Sequence, residues 1–150
     1  MKNLISVVAV GIALASAAFA HEGHDHATGV VKERMITMTS MGQSLLAISK
    51  RLRANKELDK IAGDAHVIHE LAGKLTKQFP PGSTQYPTAA KPAIWQDWAS
   101  FERQAKKLEA EAEKLMNVKA GDGIALRAQF RVVAQACDGC HETFRTPKEK

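Results

Sequence analysis

Cysteine is almost absent: two of 150 residues, Cys137 and Cys140. A structural zinc site needs further thiolates or well-spaced imidazoles, so the pair cannot build one alone. Sustained two-residue alternation of polar and apolar side chains is also missing. That absence excludes a sheet and, with it, the βαβ setting in which a thioredoxin-like dithiol belongs. The chain has no phosphate-cradling glycine loop, no nucleophile–base pair at a supporting spacing and no internal repeat. It therefore carries no catalytic machinery and is expected not to be an enzyme. Past residue 20 no apolar stretch is long enough to span a membrane. Neither sign of charge forms blocks: 21 basic and 16 acidic residues are interleaved, for a net charge of +5. Such interleaving describes solvated helix faces rather than a nucleic-acid surface, with at most mild steering toward an acidic redox partner.

What is present is concentrated at the two ends. Near the C-terminus the chain reads Cys137-Asp138-Gly139-Cys140-His141, the spacing at which c-type haem is attached. Two thiols add across the haem vinyl groups as thioethers, and the next imidazole is placed to bind the iron. On a helix these residues stand at i, i+3 and i+4, so all three share one face. Arg145 follows His141 by one turn, placed to screen a propionate or to act on the His141 side of the iron.

The N-terminal end reads as an export signal. Residues 1–20 hold one lysine, Lys2, an apolar run from Leu4, and the small-x-small close Ala18-Phe19-Ala20. Cleavage after Ala20 is expected. Haem is attached covalently after export, so both ends of the chain point to the periplasm. The segment 21–28 opens with His21-Glu22-Gly23-His24-Asp25-His26. It reads as a disordered polar tail, with copper, zinc or nickel binding as the alternative.

Residues 29–150 form the domain. Apolar spacings of three and four mark helices over about Val30–Arg53, Lys56–Lys77, Ala93–Asn117 and Gly123–Thr146. The third seam is Ile94, Trp98, Phe101, Ala105, Leu108, Ala112 and Leu115, and the fourth includes Leu126, Phe130 and Val133. Four amphipathic helices predict an all-α fold, a four-helix bundle. Leu126, Phe130 and Val133 share the helix face of the motif and are expected to wall the haem. Pro80, Pro81, Pro87 and Pro92 exclude a helix between the second and third, a connection long enough to cross the bundle. Pro147 is expected to end the fourth helix.

A six-coordinate iron needs a second ligand, and periodicity offers several. Met38 and Met41 lie on the core seam of the first helix and Met35 off it; His66 faces solvent and His69 lies on a flank. Trp95, Trp98 and Phe101 admit two readings, core packing and an electron route, with packing preferred.

Three stretches in order carry a resemblance. They are Val31-Lys32-x-Arg34-x-x-x-Met38, Lys91-Pro92-x-Ile94-Trp95-x-Asp97-x-x-x-Phe101 and Cys137-x-x-Cys140-His141-x-x-Phe144-Arg145. Together they resemble the class II c-type cytochromes, the cytochrome c′ family, over essentially the whole mature chain. The resemblance implies one covalent haem c in a four-helix bundle. It implies Met38 as the axial ligand opposite His141, and hence low-spin iron; an apolar residue at that position would leave the iron five-coordinate. It further implies that Arg34 contacts a haem propionate, and that Met41 packs in the haem pocket. The expected function is periplasmic electron transport with redox partner proteins, as a monomer or homodimer. The alternative is a five-coordinate protein that binds NO or CO.

Overall fold

The computed structural model describes residues 26–147. The expected signal peptide and residues 21–25 of the histidine-rich segment lie outside the described residues; of the rest, His26 is exposed, Ala27 is buried and Thr28 precedes the first helix. Five helices run α1 (Gly29–Ala54), α2 (Ile61–Ala72), α3 (Ala93–Gln96), α4 (Trp98–Met116) and α5 (Gly123–Phe144). The described residues contain no strand, only one isolated bridge between Ala90 and Arg145. Helices α1, α2, α4 and α5 form the four-helix bundle, with α3 as a short lead-in to α4.

Local chemistry sets the boundaries. Asn55 ends α1 in the left-handed region, with φ 50°, a conformation that asparagine tolerates better than most residues. The expected second helix is shorter than its pattern. A 3-10 turn over Leu58–Lys60 precedes α2, and another over Leu75–Gln78 follows it, after Gly73 and Lys74. The Glu109 side chain of α4 reaches over Gly73, its Oε1 2.8 Å from where a Cβ would stand. The third helix is divided at Asp97, whose carboxylate accepts from the Ser100 N–H at 3.1 Å. An aspartate that can cap a fresh start competes with continuing the helix. Asp122 caps α5 in the same way, accepting from Ala125 N–H at 2.9 Å.

The α5 terminus lies two residues before the expected one. Thr146 precedes Pro147, which disfavours the helical region, and the chain leaves α5 extended at Arg145. There it pairs with the crossover: Lys91 N–H donates to Phe144 O at 2.9 Å and Thr146 N–H to Ala89 O at 2.8 Å.

Consecutive helices run antiparallel and pack around a square: α1 on α2, α2 on α4, α4 on α5, and α5 on α1. Ile48, Ile61, Ile68, Leu115, Leu126 and Val133 are fully buried along the axis. The proline-rich connection over 79–92, the crossover, joins neighbouring helices at one end and does not reach the far side of the bundle, contrary to the expectation from its length. It leaves α2 and enters α4 at one end, with Phe79 and Phe101 4.8 Å apart between ring centroids. Its extra residues are spent on covering that end, where α1 begins and α5 finishes.

Candidate haem site

Beneath that cover lies a cavity of about 500 Å³, inside the range of small-molecule and cofactor sites. Helix α1 presents Arg34, Met35 and Met38 to it, and the end of α5 presents Cys140, His141 and Arg145. Four apolar side chains, Phe79, Ile94, Phe101 and Phe144, complete the interior. Antiparallel packing of α1 against α5 is what brings residues a hundred positions apart onto facing walls.

Cys137 stands one turn before Cys140 and packs against the hydrophobic core, and unlike Cys140 it does not line the cavity. Its thiol is pushed up to about 11, chiefly by burial, with Asp138 and Cys140 adding to the effect. Burial raises the Cys140 thiol as well. His141 is half-buried, and burial first, then the Arg145 charge, lower its pKa against the opposing pull of Asp138. Its neutral form, the one able to bind a metal, is thereby favoured.

Arg34 is only 4 % exposed. Its η nitrogens donate to Ser83 O at 2.7 Å, Thr88 Oγ1 at 3.0 Å, Ser83 Oγ at 3.2 Å and Gln78 O at 3.4 Å. Three of these acceptors belong to the crossover and the fourth, Gln78 O, to the 3-10 turn before it; together they account for the four η hydrogens. Burial lowers the guanidinium pKa. No carboxylate lies within ion-pair distance of it among the described residues. Only the Nε–H of Arg34 is thus left without an acceptor among the described residues, and the side chain stands on the cavity wall as a buried cation. Arg145 carries no side-chain hydrogen bond among the described residues, so its donors remain available on the opposite wall.

Several expectations change on this geometry. Leu126 and Val133 are buried at 1 % and 0 % exposure in the bundle core, and Phe130 is half-buried against it; none of the three walls the cavity. Their shared face with the motif is real, but the cavity meets only the last turn of α5. Met35 lines the cavity although its spacing put it off the seam, because the wall is wider than the seam there. Met41 belongs to the core cluster and is absent from the cavity wall. His66 is exposed as expected, and His69 is engaged elsewhere, its Nδ1 3.2 Å from Glu109 O. Trp98, expected on the third seam, is 37 % exposed. Phe79, Ala90 and the Pro87–Ala90 stretch were not legible as cavity residues; nothing in periodicity marks a loop that folds back over a site.

The donor set fits a covalently held haem. Two thiols lie a helical turn apart, an imidazole and a thioether share one cavity, and a buried cation stands beside apolar ring walls. The comparisons agree. The family model described as Cytochrome C′ matches residues 29–145. A cytochrome c-556 of Agrobacterium tumefaciens (strain II Chrys) is 34 % identical over 122 residues, which is 80 % of this chain and 99 % of the relative. A solved cytochrome c′ from Rhodopseudomonas palustris superposes with a TM-score of 0.75 at 30 % identity, covering 82 % of this chain and 100 % of that one. A nitric oxide complex of a cytochrome c prime variant from Alcaligenes xylosoxidans reaches a TM-score of 0.71 at 28 % identity, covering 79 % and 94 %.

Proposed function

The chain belongs to the cytochrome c′ family, and from that premise we propose that it is an exported, periplasmic one-electron carrier with His141 and Met38 as axial ligands. The observation that carries this reading is the presence of Met38 and His141 in one cavity, on facing helices of a rigid bundle. The family's single covalently attached haem c supplies a ferric–ferrous couple when bound. Cys137 and Cys140 hold it by thioether bonds, which fixes the His141 side. Met38 adds a soft, neutral donor that favours the ferrous state and raises the potential relative to a second imidazole. With His141 and Met38 both donating to its iron, the haem group would keep no open site for a substrate. The rings of Phe79, Phe101 and Phe144 offer the group an apolar wall, and Arg34 and Arg145 would supply positive charge to its propionates.

The test is the optical spectrum of the exported protein, oxidised and reduced, with and without carbon monoxide. A split low-spin ferrous spectrum that ignores carbon monoxide supports the carrier. A broad high-spin spectrum that shifts with carbon monoxide supports the second reading, a gas-binding protein. One observation favours that alternative: the similar cytochrome c prime variant from Alcaligenes xylosoxidans is a nitric oxide complex.

A further inference from the structure

A second concavity, of about 590 Å³, is lined by Lys77, Phe79, Pro80, Pro81, Trp95 and Trp98. Phe79 borders both this groove and the haem cavity. The groove is built rather than incidental. The Trp95 indole N–H donates to the carbonyls of Phe79 and Pro80, each at 3.1 Å, which holds that ring as a fixed wall. Trp98 lies 5.4 Å from Phe101, and Phe101 in turn lies 4.8 Å from Phe79 and 5.5 Å from Phe144. Core packing accounts for Phe101 and Phe79, exposed at 2 % and 4 %. It does not account for an indole left 37 % exposed in a concavity of flat apolar rings. Lys77 is exposed and has no ion-pair partner among the described residues.

We infer that this groove binds a small planar aromatic anion of the quinone–hydroquinone class, which exchanges electrons with the haem across Phe79 and Phe101. Flat indole and proline faces favour a stacked ring system, the Lys77 ammonium favours an anionic substituent, and the volume suits a molecule of two or three rings. One hydroquinone reduces two ferric chains in turn, giving one quinone, two ferrous chains and two protons released to water. The redox half of the inference rests on the electron-carrier reading; the binding half rests on the groove alone.

The probe is anthraquinone-2-sulfonate, titrated calorimetrically into the ferric holoprotein. The expected result is saturable one-to-one binding, weakened at least tenfold by Trp98→Ala and severalfold by Lys77→Glu. Trp98→Phe should retain most of it, and Ile124→Ala, at an exposed site on α5, should leave it unchanged. The second readout is the second-order rate of haem reduction by the reduced probe. Trp98→Ala should slow this at least tenfold while the optical spectrum and reduction potential stay at their wild-type values. No binding at millimolar probe, or binding indifferent to both Trp98→Ala and Lys77→Glu, would overturn the site. Binding with an unaltered reduction rate in Trp98→Ala would overturn the electron route. A haem without a reversible one-electron couple would instead remove the carrier reading, and calorimetry on the ferric protein would still report on the groove.

Discussion

The Arg34 guanidinium lies over the ring of Phe79, 4.6 Å from its centroid. One residue begins the bundle and the other begins the crossover, so this contact fastens the cover of the cavity to α1. The cation is buried, donates to two crossover residues, Ser83 and Thr88, and to Gln78 just before them, and has an aromatic face for a counter-surface. Replacing it with Met keeps the apolar stem and removes all of this at once. Arg34→Met should cost about 2–4 kcal/mol in chemical denaturation, from lost charge-assisted hydrogen bonds and cation–π attraction. Amides of the 79–90 segment should exchange faster in that variant. A loss below about 0.5 kcal/mol, the range of ordinary surface changes, would mean that the crossover is held by other contacts.

Met38→Leu preserves volume and takes the only seam thioether off the cavity wall. The variant should keep covalent haem and convert from low to high spin, with new carbon monoxide binding in the ferrous state. An unchanged spectrum would show that Met38 is not on the iron. Met35, which lines the same cavity, would then be the next residue to replace.

Covalent attachment should divide between the two thiols. Cys137→Ser and Cys140→Ser each leave one thioether, so intact mass should still include haem, in reduced yield. The double variant should lose haem under denaturing conditions. Haem that survives denaturation in the double variant would break the attachment assignment.

The thiols also give the haem-free bundle a pH dependence. Cys137 is held protonated up to about 11 when folded, whereas an unfolded thiol ionises near 8.5. Between those values the unfolded chain binds fewer protons, so stability is full below the unfolded value and falls as pH rises toward 11. Thermal midpoints of the apoprotein should decline over that window, and less in Cys137→Ser. Alkylation at pH 8 should be slow when folded and fast in denaturant. Equal rates would show that the thiol is not shielded, and that haem attachment need not precede closure of the bundle.

Much of the site was legible because it is local. Cys137, Cys140 and His141 occupy one helical stretch, and i, i+3, i+4 geometry follows from the helix alone. Apolar spacing likewise located four helical regions, since each must bury a stripe. Helix ends were less legible: at Asp97 a side-chain cap overrode an unbroken pattern, and α2 stops at Ala72 although the apolar spacing runs on to Leu75. The Leu126, Phe130 and Val133 face was read in the right direction but assigned to the wrong neighbour, because one stripe serves core and cavity at different heights.

By itself the sequence determined the chemistry and the class: two thiols and an imidazole on one turn, a thioether on another helix, and four amphipathic segments to enclose them. Only the tertiary structure decided where the cavity lies and what closes it. Arg34 to Ser83, Phe79 to Phe101, Phe101 to Phe144 and Ala90 to Arg145 are meetings of residues 22 to 55 positions apart. No periodicity encodes such meetings. They arise from antiparallel packing of whole helices, which sets the facing heights, and from a proline-rich strand of chain that must find hydrogen-bond partners wherever the bundle leaves them.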